Sequence, residues 1–223
     1  MDGKLFMQAL VKVLSGVLVV GLLLFLPAGT IDWPQGRLFM LILFVPMFVA
    51  GFVMMAKAPD LLRKRLNAKE DQDEQKWVVA LSALMFVAAF VVAGLGFRFG
   101  WPALPQWASV AAAVVFLASY ALYAEVMREN EFLSRTIEVQ EGQRVIDTGL
   151  YGIVRHPMYS ATLLLFLSMP LVLGSPFSFV IVLAYLPIIA VRIKNEEQVL
   201  REGLAGYADY MSRVKYRLIP YIW

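Results

Sequence analysis

The sequence predicts an all-α, polytopic membrane protein of about six transmembrane helices, closed by a C-terminal helical hairpin and a cytoplasmic amphipathic tail helix. Three observations carry this. Hydrophobic residues make up 60% of the 223 and charged residues only 17%, well above the apolar share of a soluble domain. The apolar residues fall in long runs separated by polar connections. Finally, 18 of the 20 Lys and Arg lie at the N-terminus, in the two long connections or in the tail. Only Arg37 and Arg98 fall on the other side. By the positive-inside rule both termini and both long connections are expected in the cytoplasm. A prokaryotic cell membrane is the expected location.

Each element follows from local composition. Residues 6–26 are apolar apart from Gln8, Lys12, Ser15 and glycines. The run lacks a small-residue cleavage site, so it is expected to be a first span and not a signal peptide, with Lys12 reaching to the interface. Trp33 anchors the turn at residues 31–36, and residues 38–56 form the second span, with a kink expected at Pro46. Residues 57–76 carry Arg63, Lys64, Arg65, Asp71, Asp73 and Glu74. They are read as a solvated loop with a short interfacial helix. Residues 77–97 and 108–127 are the third and fourth spans, with Trp101 and Trp107 as interfacial anchors between them. Gly94, Gly96 and Gly100 at the end of the third span lack the preceding strand of a dinucleotide-binding loop.

Residues 128–156 form the longest polar segment, and Val139, Val145 and Ile146 around Gly142 predict a short extended hairpin there. Residues 158–191 are long enough for two helices, broken at Gly174-Ser175-Pro176. Legs of about 15 residues are short for a hydrocarbon core of roughly 30 Å, which implies local thinning or incomplete crossing. From Arg192 the chain turns amphipathic: Ile193, Leu200, Leu204, Tyr207, Met211 and Val214 recur at helical spacing. Glu197 falls on that apolar face and Glu196 at its margin. A carboxylate on an apolar stripe is costly unless paired, and Arg155 is the expected partner. The chain is read as a single structural unit, with residues 1–127 supplying four spans and residues 128–223 the loop, hairpin and tail.

One stretch organises the rest: Gly149 to Tyr159, which holds the only histidine. Pro157 suits the first position of a helix, and His156 before it is pushed towards an extended or capping conformation. The free N–H groups of that helix start are expected to attract an anion. The absence of cysteine excludes disulfides, a thiolate nucleophile and cysteine-ligated metal. The net charge of +3 is explained by topology, so no nucleic-acid partner is expected.

Arg155-His156-Pro157-Met158-Tyr159, followed by Glu196-Glu197, resembles the RHPxY…EE signature of the isoprenylcysteine carboxyl methyltransferase family and of related phospholipid N-methyltransferases. The resemblance extends through Asn130-Glu131-Phe132 and residues 140–145, with a weaker echo at residues 59–63. It implies S-adenosylmethionine as cofactor, with Gln140, Tyr151, His156, Pro157, Met158, Tyr159, Glu196 and Glu197 as its binding residues. Arg155 and Glu197 are the implied catalytic residues, residues 128–223 the catalytic part, and no metal is required. The implied acceptor is a lipophilic small molecule or lipidated substrate, a carboxylate such as a prenylcysteine analogue being favoured over an amine. Two other classes remain open. Sterol reductases look similar to this family in fold but take a nicotinamide cofactor. A scaffold or transporter is disfavoured because the polar residues cluster at one rim and line no path across the bilayer.

Overall fold

The computed structural model describes residues 3–66, 73–134 and 137–223. Asp71, in the charged connection, lies outside the described residues. The elements in order are α1 (Gly3–Ala28), α2 (Pro34–Lys57), α3 (Pro59–Leu66), α4 (Asp73–Arg98), α5 (Gln106–Glu129), a 3₁₀ turn (Gly149–Gly152), α6 (Pro157–Val172), α7 (Pro176–Val182), α8 (Tyr185–Gly203) and α9 (Tyr207–Arg213). No strand occurs among the described residues. The protein is an integral, multi-pass, all-α membrane protein. Five stretches are long and apolar enough to cross a bilayer: α1, α2, Lys76–Arg98, α5 and the Pro176–Gly203 stretch of α7 and α8.

The hairpin is where the structure refines the sequence reading. Helix α6 has 16 residues, a rise of about 24 Å against a core of about 30 Å. This is the short leg expected. The second leg is different. After a turn at Leu183-Ala184 it runs unbroken from Tyr185 through Glu196 and Glu197 to Gly203. No helix breaker stands between Val191 and Arg192, so span and tail are one helix. The amphipathic stretch in turn divides in two, because Gly206 adopts a φ of 82° between α8 and α9. Its apolar face survives the break: Leu204, Tyr207, Tyr210 and Val214 still pack as one cluster.

The expected extended hairpin around Gly142 is absent. Gly142, with φ of 70°, instead supports a tight turn in which Gln143 N–H donates to the Gln140 carbonyl at 3.1 Å. Val139 and Val145 both pack on the α9 cluster, so burial against the tail replaces a ladder.

Two ends of the bundle are distinct. At one, Trp33 is buried and stacks on Phe97 at 5.1 Å, Trp101 meets Phe177 edge-on at 5.5 Å, and Leu104 N–H donates to the Gly174 carbonyl at 2.9 Å. At the other lie α3, α9, the long polar segment and the Arg155 stretch. The middle is apolar and aromatic, with Phe39 set against both Phe90 and Phe116 at 5.8 and 5.7 Å.

Helices α1 and α4 touch backbone to backbone at Gly94. A Cβ added there would lie 2.5 Å from the Leu24 carbonyl oxygen and 3.1 Å from the Ala28 nitrogen. Neither neighbour is a flexible side chain, so Gly94→Leu must push the helices apart. The expected loss is about 1–3 kcal/mol, the usual cost of overpacking. It is read as a lower unfolding temperature in detergent; an unchanged temperature would mean the helices separate freely.

Candidate active site

The site begins where the polar segment returns to α5. The Glu129 carboxylate accepts the Leu150 N–H, 2.9 and 3.2 Å from its two oxygens. Gly149 lies against that carboxylate with φ of 56°, and a Cβ there would sit 1.9 Å from Oε1, so the turn requires glycine. Asn130 accepts from the Phe132 N–H at 2.9 Å and donates to the Tyr151 hydroxyl at 3.0 Å. The Tyr151 carbonyl accepts from the Tyr210 hydroxyl at 2.7 Å. Helix α5, the 3₁₀ turn and α9 are thereby clamped together. Burial pushes both phenols well above their usual range, so they act as neutral hydroxyls.

The next two residues pair with the tail. Arg155 N–H donates to the Tyr216 carbonyl and His156 N–H to the Arg217 carbonyl, both at 2.9 Å. Pro157 then opens α6 at its first position, with His156 as the cap residue. Tyr159 and Ser160 return their N–H groups to the His156 carbonyl at 3.0 and 3.1 Å. That leaves Met158 as the one first-turn amide without a partner among the described residues. The anion-attracting helix start expected from the sequence is therefore reduced to a single N–H, because Pro157 contributes none.

At the centre is Glu197. Its Oε1 accepts from Arg155 Nε at 2.7 Å and lies 3.3 Å from His156 Nε2; its Oε2 accepts from Arg217 Nε at 2.9 Å. Arg155, His156 and Glu197 are only 7%, 5% and 5% exposed. Arg155 Nη1 also donates to the Val214 and Lys215 carbonyls at 2.7 and 2.9 Å. Three of its five N–H groups are thus engaged by the tail and by Glu197. The pairing of Arg155 with Glu197 expected from the apolar stripe is present. Arg217 was not foreseen, because it lies beyond the last helix, where periodicity offers no signal.

Glu196 has a different environment. It accepts a hydrogen bond from the Tyr159 hydroxyl, which itself accepts from Arg192 Nε at 2.9 Å. Beside it lies a cavity of about 500 Å³, within the usual range for small-molecule sites. Of the residues singled out in the sequence, Tyr151, Arg155, His156, Met158, Tyr159 and Glu196 line it. Gln140, Pro157 and Glu197 do not. The Gln140 carboxamide donates to the Phe132 carbonyl and holds the loop together. Pro157 is buried at the helix start. Glu197 borders a smaller pocket with Lys194 and Arg217. In this geometry it pairs with the buried Arg155 and with Arg217, and it does not line the larger cavity.

The cavity's other wall comes from the membrane helices: Val78, Val79, Ala83 and Phe86 of α4, and Ile188 and Ile189 of α8. Phe166 meets Phe86 and Tyr185 edge-on at 4.7 and 4.8 Å, and all three rings line the cavity. A carboxylate, several hydroxyls and arginines thus face an apolar wall across one space.

Fold and site together define a polytopic membrane protein with a ligand cavity at one rim, walled on one side by ionic groups and on the other by transmembrane helices. Residues 110–202, from within α5 to the last turn of α8, match the isoprenylcysteine carboxyl methyltransferase (ICMT) family. The matched stretch includes Arg155, His156, Glu196 and Glu197 and stops short of Tyr207 and Arg217. Among curated proteins the chain is similar to a Delta(14)-sterol reductase of Mus musculus, 32% identical over 91 residues, which are 40% of this chain and 22% of that protein. It is also similar to a Delta(14)-sterol reductase of Methylotuvimicrobium alcaliphilum, 25% identical over 138 residues, 54% of this chain and 32% of that protein. The chain spans only these fractions of the relatives it matches.

Removing the Glu197 carboxylate leaves Arg155 buried without its counter-charge. Glu197→Ala is expected to cost about 3–5 kcal/mol of stability, the usual range for breaking a buried pair from one side. Arg217→Met removes a more exposed partner, its side chain 29% accessible, and should cost clearly less. Equal losses in chemical unfolding would contradict the central place of the Arg155 contact.

Proposed function

We propose that this protein is an S-adenosylmethionine-dependent methyltransferase acting on a lipophilic acceptor. The match of residues 110–202 to the ICMT family supports a membrane methyltransferase. The observation that carries the finer reading is the cavity's two-faced wall. Val79 lines the cavity from α4 and is at the same time 53% exposed on the apolar surface of the bundle. The cavity thus borders both the lipid-facing surface and the polar loops. An enzyme joining a soluble cofactor to a membrane-borne acceptor needs that arrangement.

The residues present fit such a cofactor. Glu196 uses only Oε2 towards Tyr159, which leaves Oε1 to accept from a ligand hydroxyl or ammonium. His156 and Tyr159 lie face to face, ring centroids 5.7 Å apart, on the same wall. When bound, the cofactor supplies an electrophilic methyl group on sulfur. The chain's own contribution is position: Glu196, Tyr159 and His156 hold one reactant and the α4–α8 wall the other, and alignment alone supplies a large part of such a rate enhancement. Arg155, three of whose N–H groups are engaged, acts by fixing Glu197 and the tail. Arg192, on the cavity wall beside Tyr159, supplies positive charge for an acceptor carboxylate. A carboxylate acceptor, such as a prenylcysteine analogue, is ionised at neutral pH and attacks without a base. The motif, loop and tail are placed at the cytoplasmic face, with both termini, on the charge bias. A reporter fused after Trp223 should read cytoplasmic and one at Gln106 should read outside.

A second reading is a nicotinamide-dependent reductase. The similarity to two Delta(14)-sterol reductases favours it, as do Arg65, Arg144 and Arg192 on the cavity wall, since arginines suit phosphates. Binding of S-adenosylmethionine against NADPH to the purified protein separates the two; tight NADPH binding with none of S-adenosylmethionine overturns our reading. The acceptor is tested by the pH dependence of methyl transfer at saturating cofactor. A carboxylate predicts a rate nearly flat from about pH 6 to 8.5. A rise of about tenfold per unit at the lower end means an amine that must first lose its proton, as in phospholipid N-methylation.

A further inference from the structure

Five tyrosines of the cavity are strongly buried or hydrogen-bonded across it, and four have partners. Tyr151 accepts from Asn130, Tyr159 bonds Glu196 and Arg192, Tyr185 bonds Thr162 at 3.3 Å, and Tyr210 donates to the Tyr151 carbonyl. Tyr207 is the exception. It lines the cavity and is 4% exposed, and its hydroxyl is out of reach of solvent with no hydrogen-bond partner among the described residues. A buried hydroxyl without a partner is destabilising, and such groups are rare enough in folded proteins to require an explanation. Packing does not explain it: phenylalanine would fill the Leu204–Tyr210–Val214 cluster equally well. Burial, and next the charge of Glu196, push the Tyr207 phenol far above its usual range, so it stays a neutral hydroxyl.

We infer that Tyr207 is a ligand-binding residue, and that its hydroxyl and Glu196 together hold a hydroxyl group of the cofactor, namely that of a ribose. The choice of ligand group follows from the donor inventory. The open Oε1 of Glu196 only accepts, while the Tyr207 hydroxyl both donates and accepts. An ammonium can donate to both but leaves the Tyr207 O–H without an acceptor; a carboxylate is repelled by the first. A hydroxyl donates to Glu196 and accepts from Tyr207. Tyr207 lies outside the stretch that matches the family, on α9, which the Tyr210–Tyr151 bond fastens to the site. The inference rests on the cofactor reading above and adds to it a residue and the group that it holds.

The test is Tyr207→Phe, Glu196→Gln and the double variant, in detergent-purified protein. S-adenosylhomocysteine and NADP⁺ are each titrated by calorimetry, and unfolding temperature is measured without ligand. The inference expects two opposite effects of Tyr207→Phe. Stability without ligand is unchanged or higher, since an unpartnered hydroxyl has been removed. Affinity for S-adenosylhomocysteine falls about tenfold, within the range for a lost hydrogen bond. The double variant should lose less than the product of the two single losses, because both residues hold one group. Unchanged affinity in Tyr207→Phe overturns the inference while leaving the methyltransferase reading intact. A drop in ligand-free stability also overturns it, since the hydroxyl would then have a structural partner such as a bound water. If the wild type binds NADP⁺ and not S-adenosylhomocysteine, the methyltransferase reading fails; Tyr207 is then judged by the same criteria on NADP⁺, which also carries ribose hydroxyls.

Discussion

The structure depends on one buried carboxylate. Glu197 joins three segments that are remote in the chain: residues 155–156 at the start of α6, its own helix α8, and the tail at Arg217. A carboxylate in an apolar interior is strongly disfavoured unless paired and hydrogen-bonded. Here both oxygens are occupied, and Arg155 carries the pairing onward to two tail carbonyls. The two backbone bonds from residues 155 and 156 to the tail then follow at close to ideal length. With these in place, α6 starts where it does, Tyr159 faces Glu196, and the tail places α9 against the cavity.

How far this was legible in the sequence depended on whether a signal was local. The spans follow from apolar runs, and the hairpin break from Gly174-Ser175-Pro176. The Arg155–Glu197 pair follows from an acid placed on an apolar stripe, which demands a cation. The failures have physical causes as well. A tail helix beginning at Arg192 was expected because hydrophobicity falls there, yet polarity does not end a helix; only Gly203 and Gly206 do. Val139, Val145 and Ile146 have β-favouring side chains, but propensity gave way to packing, of the two valines on the α9 cluster and of Ile146 on the Val126–Tyr151–Met158 cluster. Gln140 braces the loop through the Phe132 carbonyl and the Gln143 side chain, a pairing that its place in the family-like stretch does not announce. Arg217 and the isolated hydroxyl of Tyr207 are products of tertiary placement alone, and no spacing announces them.

Adjacent glutamates illustrate how one helix separates two tasks. Successive residues on an α-helix point about 100° apart. Glu197 is turned into the protein, where its oxygens meet Arg155, His156 and Arg217. Glu196, one step round, borders the cavity with one oxygen fixed by Tyr159 and the other open. The fixed oxygen matters as much as the open one. Tyr159 is itself held by Arg192, so the Glu196 carboxylate cannot rotate freely and its open oxygen is presented in one direction. A side chain held in this way by a second layer of hydrogen bonds would lose little entropy on meeting a ligand.

The same geometry explains why this cavity is compatible with similarity to proteins of two chemistries. Its apolar wall, made by α4 and α8, would suit any lipophilic reactant, a prenylated acid and a sterol alike. The polar wall decides the cofactor. Arg65, Arg144 and Arg192 provide positive charge suited to phosphates, whereas Glu196 provides a negative group that repels them. Arg144 faces Glu131 at 3.7 Å, both largely exposed, so its charge is partly answered and screened by water. Arg192 is turned towards Tyr159. Neither is arranged as a fork around empty space in the way a phosphate clamp is. Glu196, by contrast, is oriented and half open. The rim therefore carries groups suited to either cofactor: arginines for a phosphate, and an oriented, half-open Glu196 for a hydroxyl or ammonium donor. That balance is a property of the side chains at the rim, and a change of cofactor in a related chain would require only those side chains to change.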